Sequence, residues 1–120
     1  NGKGNIFLPK YTYDPRKVWW QTVFTLDTIF FSHQLIIDNM LYICFMYVGR
    51  KYDDSKYKYV VTITSSDGVQ YVSSCLICPN FLEFVESSPN EKYAIFHGDF
   101  VKQCINKKHE LKFQFQISPY

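Results

Sequence analysis

Hydrophobic and polar residues along much of this chain alternate with a period of two, which is the period of a half-buried β-strand. The alternation is clearest in residues 57–64 and 110–117, where every second side chain is apolar or aromatic. Residues 40–48 are apolar almost throughout, as is typical of a central strand buried on both faces. The predicted strands are residues 5–9, 18–26, 31–37, 40–48, 57–64, 69–77, 93–96 and 110–117.

Short polar breaks separate these strands and predict antiparallel hairpins. The strongest hairpin signal is Ser66-Asp67-Gly68, and further turns are predicted at Asp27-Thr28 and at Asp38-Asn39. Residues 81–85 are compatible with one helical turn, and residues 98–104 with a short helix or 3-10 turn. About eight strands at this spacing predict an all-β fold, either a sandwich or a barrel.

Composition supports the same fold class. Aromatic residues make up 19% of the 120 residues, and alanine occurs once, at Ala94. A helical domain uses alanine and leucine freely, whereas valine, isoleucine, tyrosine and threonine suit a pleated surface. The formal net charge of +2 is too balanced for a dedicated nucleic-acid binder. Residues 1–17 are interpreted as an N-terminal segment, and residues 18–120 as one domain.

Four cysteines raise the question of redox or metal chemistry. We expect Cys44, Cys75, Cys78 and Cys104 to be reduced thiols of an intracellular protein, with disulfide pairing as the alternative. Cys75 and Cys78 form a CxxC motif, but a redox CxxC normally opens a helix, and this one lies in a strand-like run before Pro79.

No arrangement of residues indicates catalysis. A zinc site needs four ligands, usually in two paired sets, and a triad needs a nucleophile, a base and an orienting acid. The histidines and the cysteines outside the CxxC motif, which are the remaining candidates for metal ligands or catalytic groups, are isolated in the sequence. His33 is interpreted as a structural residue at the start of a strand. We therefore predict no catalytic residue, no metal and no cofactor in this domain. The isolated histidines are His33, His97 and His109.

Trp19 and Trp20 are the best candidates for binding a partner. Neighbouring residues of a strand face opposite sides, so one indole is expected to enter the core and the other to face solvent or a partner. An exposed tryptophan is a common anchor at protein interfaces. The alternative for the second indole is that a loop covers it.

The order of the elements resembles the C-terminal TRAF-like substrate-binding domain of the seven-in-absentia (Sina/Siah) family of E3 ubiquitin ligases. Order and spacing over roughly residues 18–118 carry the resemblance, and no single phrase is diagnostic. The matching phrases are VWWQ at 18–21, FSHQL at 31–35, the apolar strand 41–48, the tyrosine-rich strand 57–63, FHGDFV at 96–101 and the last strand 111–118.

The resemblance implies an antiparallel eight-stranded TRAF-like sandwich that forms a homodimer and binds substrate or adaptor proteins for ubiquitylation. Partner peptides of that family add as a strand beside the first two strands. A tryptophan and the residue two positions further on line the groove, which implies Trp19 and Gln21 or, with a shift of one, Trp20 and Thr22. The RING and zinc-finger parts of such a ligase are not in these residues.

Two other functions fit the same sequence. One is a divergent TRAF-like adaptor without ligase activity. The other is an OB-like nucleic-acid module, because lysines interleave with aromatic residues in residues 51–59 and 107–115. We favour the protein-binding domain, with no nucleic acid and no membrane as partner, in the cytoplasm or the nucleus.

Overall fold

The computed structural model describes residues 1–11, 17–50, 56–84 and 92–120. Three sequence predictions lie partly outside this range: the N-terminal segment 1–17, the stretch 51–59, and the end of the helical turn at 85. The described residues form the strands β1 (Lys3–Leu8), β2 (Val18–Thr25), β3 (Thr28–Ile37), β4 (Met40–Tyr47), β5 (Tyr57–Thr64), β6 (Gln70–Val72), β7 (Leu76–Ile77), β8 (Ala94–His97) and β9 (Leu111–Pro119) and the helices α1 (Phe81–Phe84) and α2 (Gly98–Lys102).

The strands form two antiparallel sheets. Sheet A has the order β1-β9-β5-β6, with β7 also paired to β5, and sheet B has the order β2-β3-β4-β8. The prediction of an all-β antiparallel sandwich is confirmed. Without the two-residue β7, eight strands remain, four in each sheet, and the two short helices lie within the segments 81–85 and 98–104 where the sequence allowed a helical turn. Two separate sheets also differ from the five-stranded barrel that an OB-like module requires.

The predicted strand 69–77 is interrupted, and Ser73 gives the physical reason. The Val61 amide donates to the hydroxyl Oγ of Ser73 at 3.0 Å, and the Ser73 amide donates to the Val61 carbonyl at 2.8 Å. A side chain therefore replaces the backbone carbonyl as partner of β5, and the ladder is broken between β6 and β7.

Two tight turns set the register of sheet B. Leu26 and Asp27 both have φ of +54°, and Asp38 and Asn39 have φ of +49° and +61°. Positive φ at both central residues defines the type I′ turn, whose twist matches that of a hairpin. The prediction at Asp38-Asn39 is confirmed. The prediction at Asp27-Thr28 is wrong by one residue, because Thr28 already belongs to β3 and pairs with Thr25.

The main core lies between the two sheets. Phe45 of β4, Tyr59 of β5 and Phe113 of β9 are fully buried there. The centre of the Phe45 ring lies 5.4 Å from that of Tyr59 and 6.4 Å from that of Phe113. Strand β4 is buried on both faces, as predicted, since Cys44 and Met46 on its opposite face are also inaccessible to solvent. These two residues belong to a second, smaller apolar cluster on the outer face of sheet B.

Candidate partner-binding edge

Strand β2 forms one edge of sheet B. It pairs with β3 on one side, and no described strand pairs with it on the other. Its eight residues make it longer than the other edge strands, which have six (β1), four (β8), three (β6) and two (β7) residues. A long edge strand with exposed apolar side chains is a template for pairing with another chain. Three such side chains lie on β2: Val18, Trp20 and Phe24.

The type I′ hairpin fixes which backbone groups of β2 are already bonded. Thr25 and Thr28 close the turn, so they form a hydrogen-bonded pair, and such pairs alternate with non-bonded pairs along an antiparallel ladder. Gln21 and Val23 therefore bond to β3, while the amides and carbonyls of Trp20 and Thr22 point away from it. A bond on the other side of β3 supports this phase. The Val48 amide donates to the Ile29 carbonyl at 3.2 Å, so Ile29 bonds towards β4 and its partner Phe24 is in a non-bonded pair of the β2–β3 ladder.

The outward-pointing backbone groups belong to residues whose side chains lie on the outer face of sheet B. Trp20 is 53% exposed, and its ring lies at 4.0 Å from the ring of the facing His33, nearly parallel to it. Beside the tryptophan is a groove of about 300 Å³ between β2 and α1. The described residues that line it are all uncharged: they are Trp20, Gln21, Thr22, Phe31 and Phe81.

Beneath the Trp20 ring lies a buried pair of polar side chains, His33 and Tyr93. The imidazole Nδ1 of His33 lies 2.8 Å from the hydroxyl of Tyr93, and the ring of Phe84 stands edge-on to the histidine at 6.5 Å. Burial disfavours the charged imidazolium and lowers the pKa of His33 to about 4, so the ring is neutral at pH 7. Burial also raises the pKa of the Tyr93 phenol. The structural role expected for His33 matches this arrangement.

The inner side of β2 is built differently. Trp19 stacks on Tyr11 at 5.2 Å with the rings almost parallel, and the Lys17 ammonium lies 5.6 Å from the centre of the Trp19 ring. Gln21 faces the same side, and its amide oxygen is buried without a hydrogen-bond partner, as is that of Gln34. This side of the strand is thus filled by the protein's own side chains.

The four predicted binding residues lie in one strand but on two faces. Trp19 packs against the main core and Trp20 is exposed, so the expected division between the two indoles is confirmed. The two alternatives for the groove were Trp19 with Gln21 and Trp20 with Thr22. Trp20 and Thr22 both line the apolar groove on the outer face. Gln21, which lies between them in the strand, also lines it, whereas Trp19 does not.

Sequence reasoning missed Phe31 and Phe81 as parts of the groove. Phe31 faces Thr22 across the β2–β3 ladder, and this register depends on the hairpin turn that was placed one residue late. Phe81 comes from a segment with no clear pattern, and its ring meets that of Phe31 edge-on at 4.8 Å. The sequence offered one sign of this wall of the groove, which is the pair of aromatic residues at 81 and 84 directly after Pro79-Asn80.

The cysteines do not gather into a site with the histidines. Within the described ranges, no three side chains of histidine, cysteine, aspartate or glutamate are grouped so that they could hold a metal ion. All four cysteines are free thiols, with Cys44 and Cys78 buried and Cys75 exposed. Burial raises the pKa of Cys44 to about 12 and that of Cys104 to about 11, so both are protonated at neutral pH.

Comparison with known proteins adds no assignment, since no protein-family model matches the chain and no curated protein is significantly similar to it. Among the helices of the described residues, none has the length and apolar character needed to cross a membrane.

Proposed function

We propose that this chain is a protein-interaction domain that binds an extended segment of a partner protein as an additional strand beside β2. The observation that carries the proposal is the coincidence, on Trp20 and Thr22, of outward-pointing backbone groups with side chains that line an apolar groove. Main-chain hydrogen bonds give affinity in such complexes, and pockets for alternate side chains give specificity.

The resemblance to the seven-in-absentia family supports a finer proposal. In that case the bound partner is a substrate or adaptor protein that the full-length protein brings to a ubiquitin-conjugating enzyme, and the domain is a homodimer. The two levels are separable by experiment. A RING and cysteine/histidine-rich fingers encoded upstream of Asn1 would support the ligase assignment, while an open reading frame without them would leave a binding domain of an adaptor.

The homodimer can be tested by light scattering at micromolar concentration. One chain has a mass of 14.3 kDa, and we expect about twice that value. We propose residues 111–117 of β9 and the segment 93–104 as candidates for the dimer surface. Strand β9 lies between β1 and β5, so it can contribute its outer face but no free edge. A mass of one chain would contradict the dimer and leave strand addition untouched.

Binding at β2 is tested with peptides selected on the 120-residue chain from a displayed random-peptide library. Thr22→Pro removes the outward amide and should abolish binding of the selected peptides, while Thr22→Val keeps that amide and should retain it. Trp20→Ala should weaken binding by about 2 kcal/mol, as expected for an exposed aromatic anchor. Unchanged affinity for Thr22→Pro, or a library that yields no peptide, would contradict the proposal.

A further inference from the structure

We infer that the partner segment runs antiparallel to β2 and places a bulky apolar side chain, from the residue opposite Thr22, into the groove between β2 and α1. The inference rests on the proposed function and names the class of segment that the edge selects. It concerns the outer face of sheet B, where Trp20, Thr22, Phe31 and Phe81 meet.

The position of the apolar residue follows from the phase of the ladder. The outward amides and carbonyls of Trp20 and Thr22 must form hydrogen-bonded pairs with the residues of an added antiparallel strand that lie directly opposite. Directly opposite residues have their side chains on the same face of the sheet. The two partner residues opposite Trp20 and Thr22 therefore both point to the outer face, and the one between them points to the inner face.

The chemistry of the groove selects an apolar side chain at the position opposite Thr22. Two of its walls are the rings of Phe31 and Phe81, which meet edge-on, and a third is the exposed ring of Trp20. A charged side chain placed there would lose water without gaining an ionic partner among the described lining residues, all of which are uncharged. A leucine, isoleucine, methionine or aromatic side chain would instead cover apolar surface on both sides.

All strand pairs of sheet B in the described residues are antiparallel, and antiparallel pairing is slightly more stable per residue than parallel pairing, so we expect an added strand to continue the pattern. Charges at the two ends of β2 then favour a segment with an acidic C-terminal end. Lys17 precedes the strand, where its ammonium donates to the carbonyl of Lys10, and the exposed Asp27 lies in the turn at the far end. An antiparallel partner has its C-terminal end beside Lys17. Because such ion pairs are solvent-exposed, they contribute orientation more than affinity.

The decisive experiment is a double-mutant cycle with the library-selected peptides. Each apolar residue of a peptide is replaced by alanine, and each replacement is measured against the wild-type chain and against Phe81→Ala. For one peptide position we expect each single change to weaken binding roughly tenfold, and the two together to weaken it roughly tenfold as well, because both remove the same contact.

Leu82→Ala is the matched control, since Leu82 is on the same helix, is exposed and does not line the groove. It should leave affinity unchanged. Thr22→Glu is a second variant that keeps the outward amide and adds a charge at the groove, and it should weaken binding at least about tenfold. Circular dichroism of each variant verifies that it is folded.

Each outcome separates the inference from the proposed function. If Thr22→Pro abolishes binding but no peptide position couples to Phe81, strand addition stands and the groove assignment is wrong. If one peptide position couples to Phe81 and the selected peptides are enriched in acidic residues C-terminal to it, the inference is supported. If Thr22→Pro has no effect, the proposed function itself fails.

Discussion

The two outer faces of the sandwich differ in what covers them. On sheet B, the side chains of Cys44, Met46 and Tyr93 are buried in a second apolar cluster, over which Phe81 and Phe84 of α1 pack. On sheet A, most of the outer side chains along three neighbouring strands are polar and accessible to solvent, among them Asn5, Thr62, Lys112, Gln114 and Gln116, with Phe7 and Val60 as the apolar exceptions. One face thus carries a small core, and the other is a hydrated surface.

Because of this difference, the volume of a depression is a poor guide to where we expect a partner to bind. A larger depression, about 440 Å³, lies on sheet A and is lined mainly by polar side chains such as Lys3, Asn5 and Gln116. Removing water from those groups would cost free energy unless each found a new hydrogen bond. The groove of about 300 Å³ beside β2 is smaller but apolar, so covering it is favourable.

The largest expected contrast between the two faces is in stability. Met46→Ala removes a fully buried side chain from the outer cluster of sheet B and should lower the free energy of unfolding by about 2–5 kcal/mol. Gln114→Ala on the exposed face of sheet A should change it by less than about 0.5 kcal/mol. Urea denaturation measures both variants, and equal losses would contradict the contrast.

Acid should weaken the outer cluster of sheet B through His33. Its pKa is about 4 in the folded protein and 6.5 unfolded, so the unfolded state takes up a proton first as pH falls. The stabilising contribution is complete above pH 6.5 and is lost progressively towards pH 4, by up to about 3 kcal/mol.

His33→Gln is the matched variant for this acid dependence, because glutamine is polar and does not titrate. The difference in unfolding free energy between wild type and variant, measured at several pH values from 7 to 4, should shrink or reverse as pH falls. A difference that is constant over this range would show that His33 is not buried in its neutral form.

Proline substitution along β2 distinguishes its two sets of amides. Val23→Pro removes an amide that bonds to β3 and should destabilise the protein by about 1–3 kcal/mol from the lost hydrogen bond alone. Thr22→Pro removes an amide that points away from the sheet, so it should cost less. Thermal unfolding of the pair tests the ladder phase, and a larger loss for Thr22→Pro would reverse it.

Thiol labelling gives the smallest effect, since it changes rates and not stability. In the native protein Cys75 should react first, while Cys44 and Cys78 are shielded by burial, and only thiolates react readily. Under denaturing, non-reducing conditions, mass spectrometry should show four labels. Two labels or none would indicate disulfides and contradict the prediction of reduced thiols.

Much of the fold could be predicted from the sequence because sheet faces are recorded in the side-chain alternation. Strand β5 was predicted with the bounds it has, and the continuous apolar run of β4 correctly indicated burial on both faces. The turn at Leu26-Asp27 was misplaced because Leu26 adopts a positive φ, which leucine seldom does. The error moved each β2 residue's cross-strand partner by two, which preserved the faces but hid the pairing of Trp20 with His33.

Only the β2 side of the groove could be predicted from the sequence. Trp20 and Thr22 were identified from the strand pattern and the family resemblance, whereas the opposite wall depends on Phe81. That residue reaches the sheet through a short helix whose place is set by tertiary bonds: the Tyr47 amide donates to the Pro79 carbonyl at 2.8 Å, and the Asn80 side chain donates to the Arg50 carbonyl at 2.7 Å. Such long-range anchors leave no periodic signal in the sequence.

Amide hydrogen exchange resolved by NMR tests strand addition at β2 most directly. In the free chain we expect fast exchange at Trp20 and Thr22 and slow exchange at Gln21 and Val23, which bond to β3. Addition of a saturating library-selected peptide should slow Trp20 and Thr22 and leave the other two unchanged. If Trp20 and Thr22 still exchange fast in the complex, no strand is added at this edge, and the account of the site is wrong.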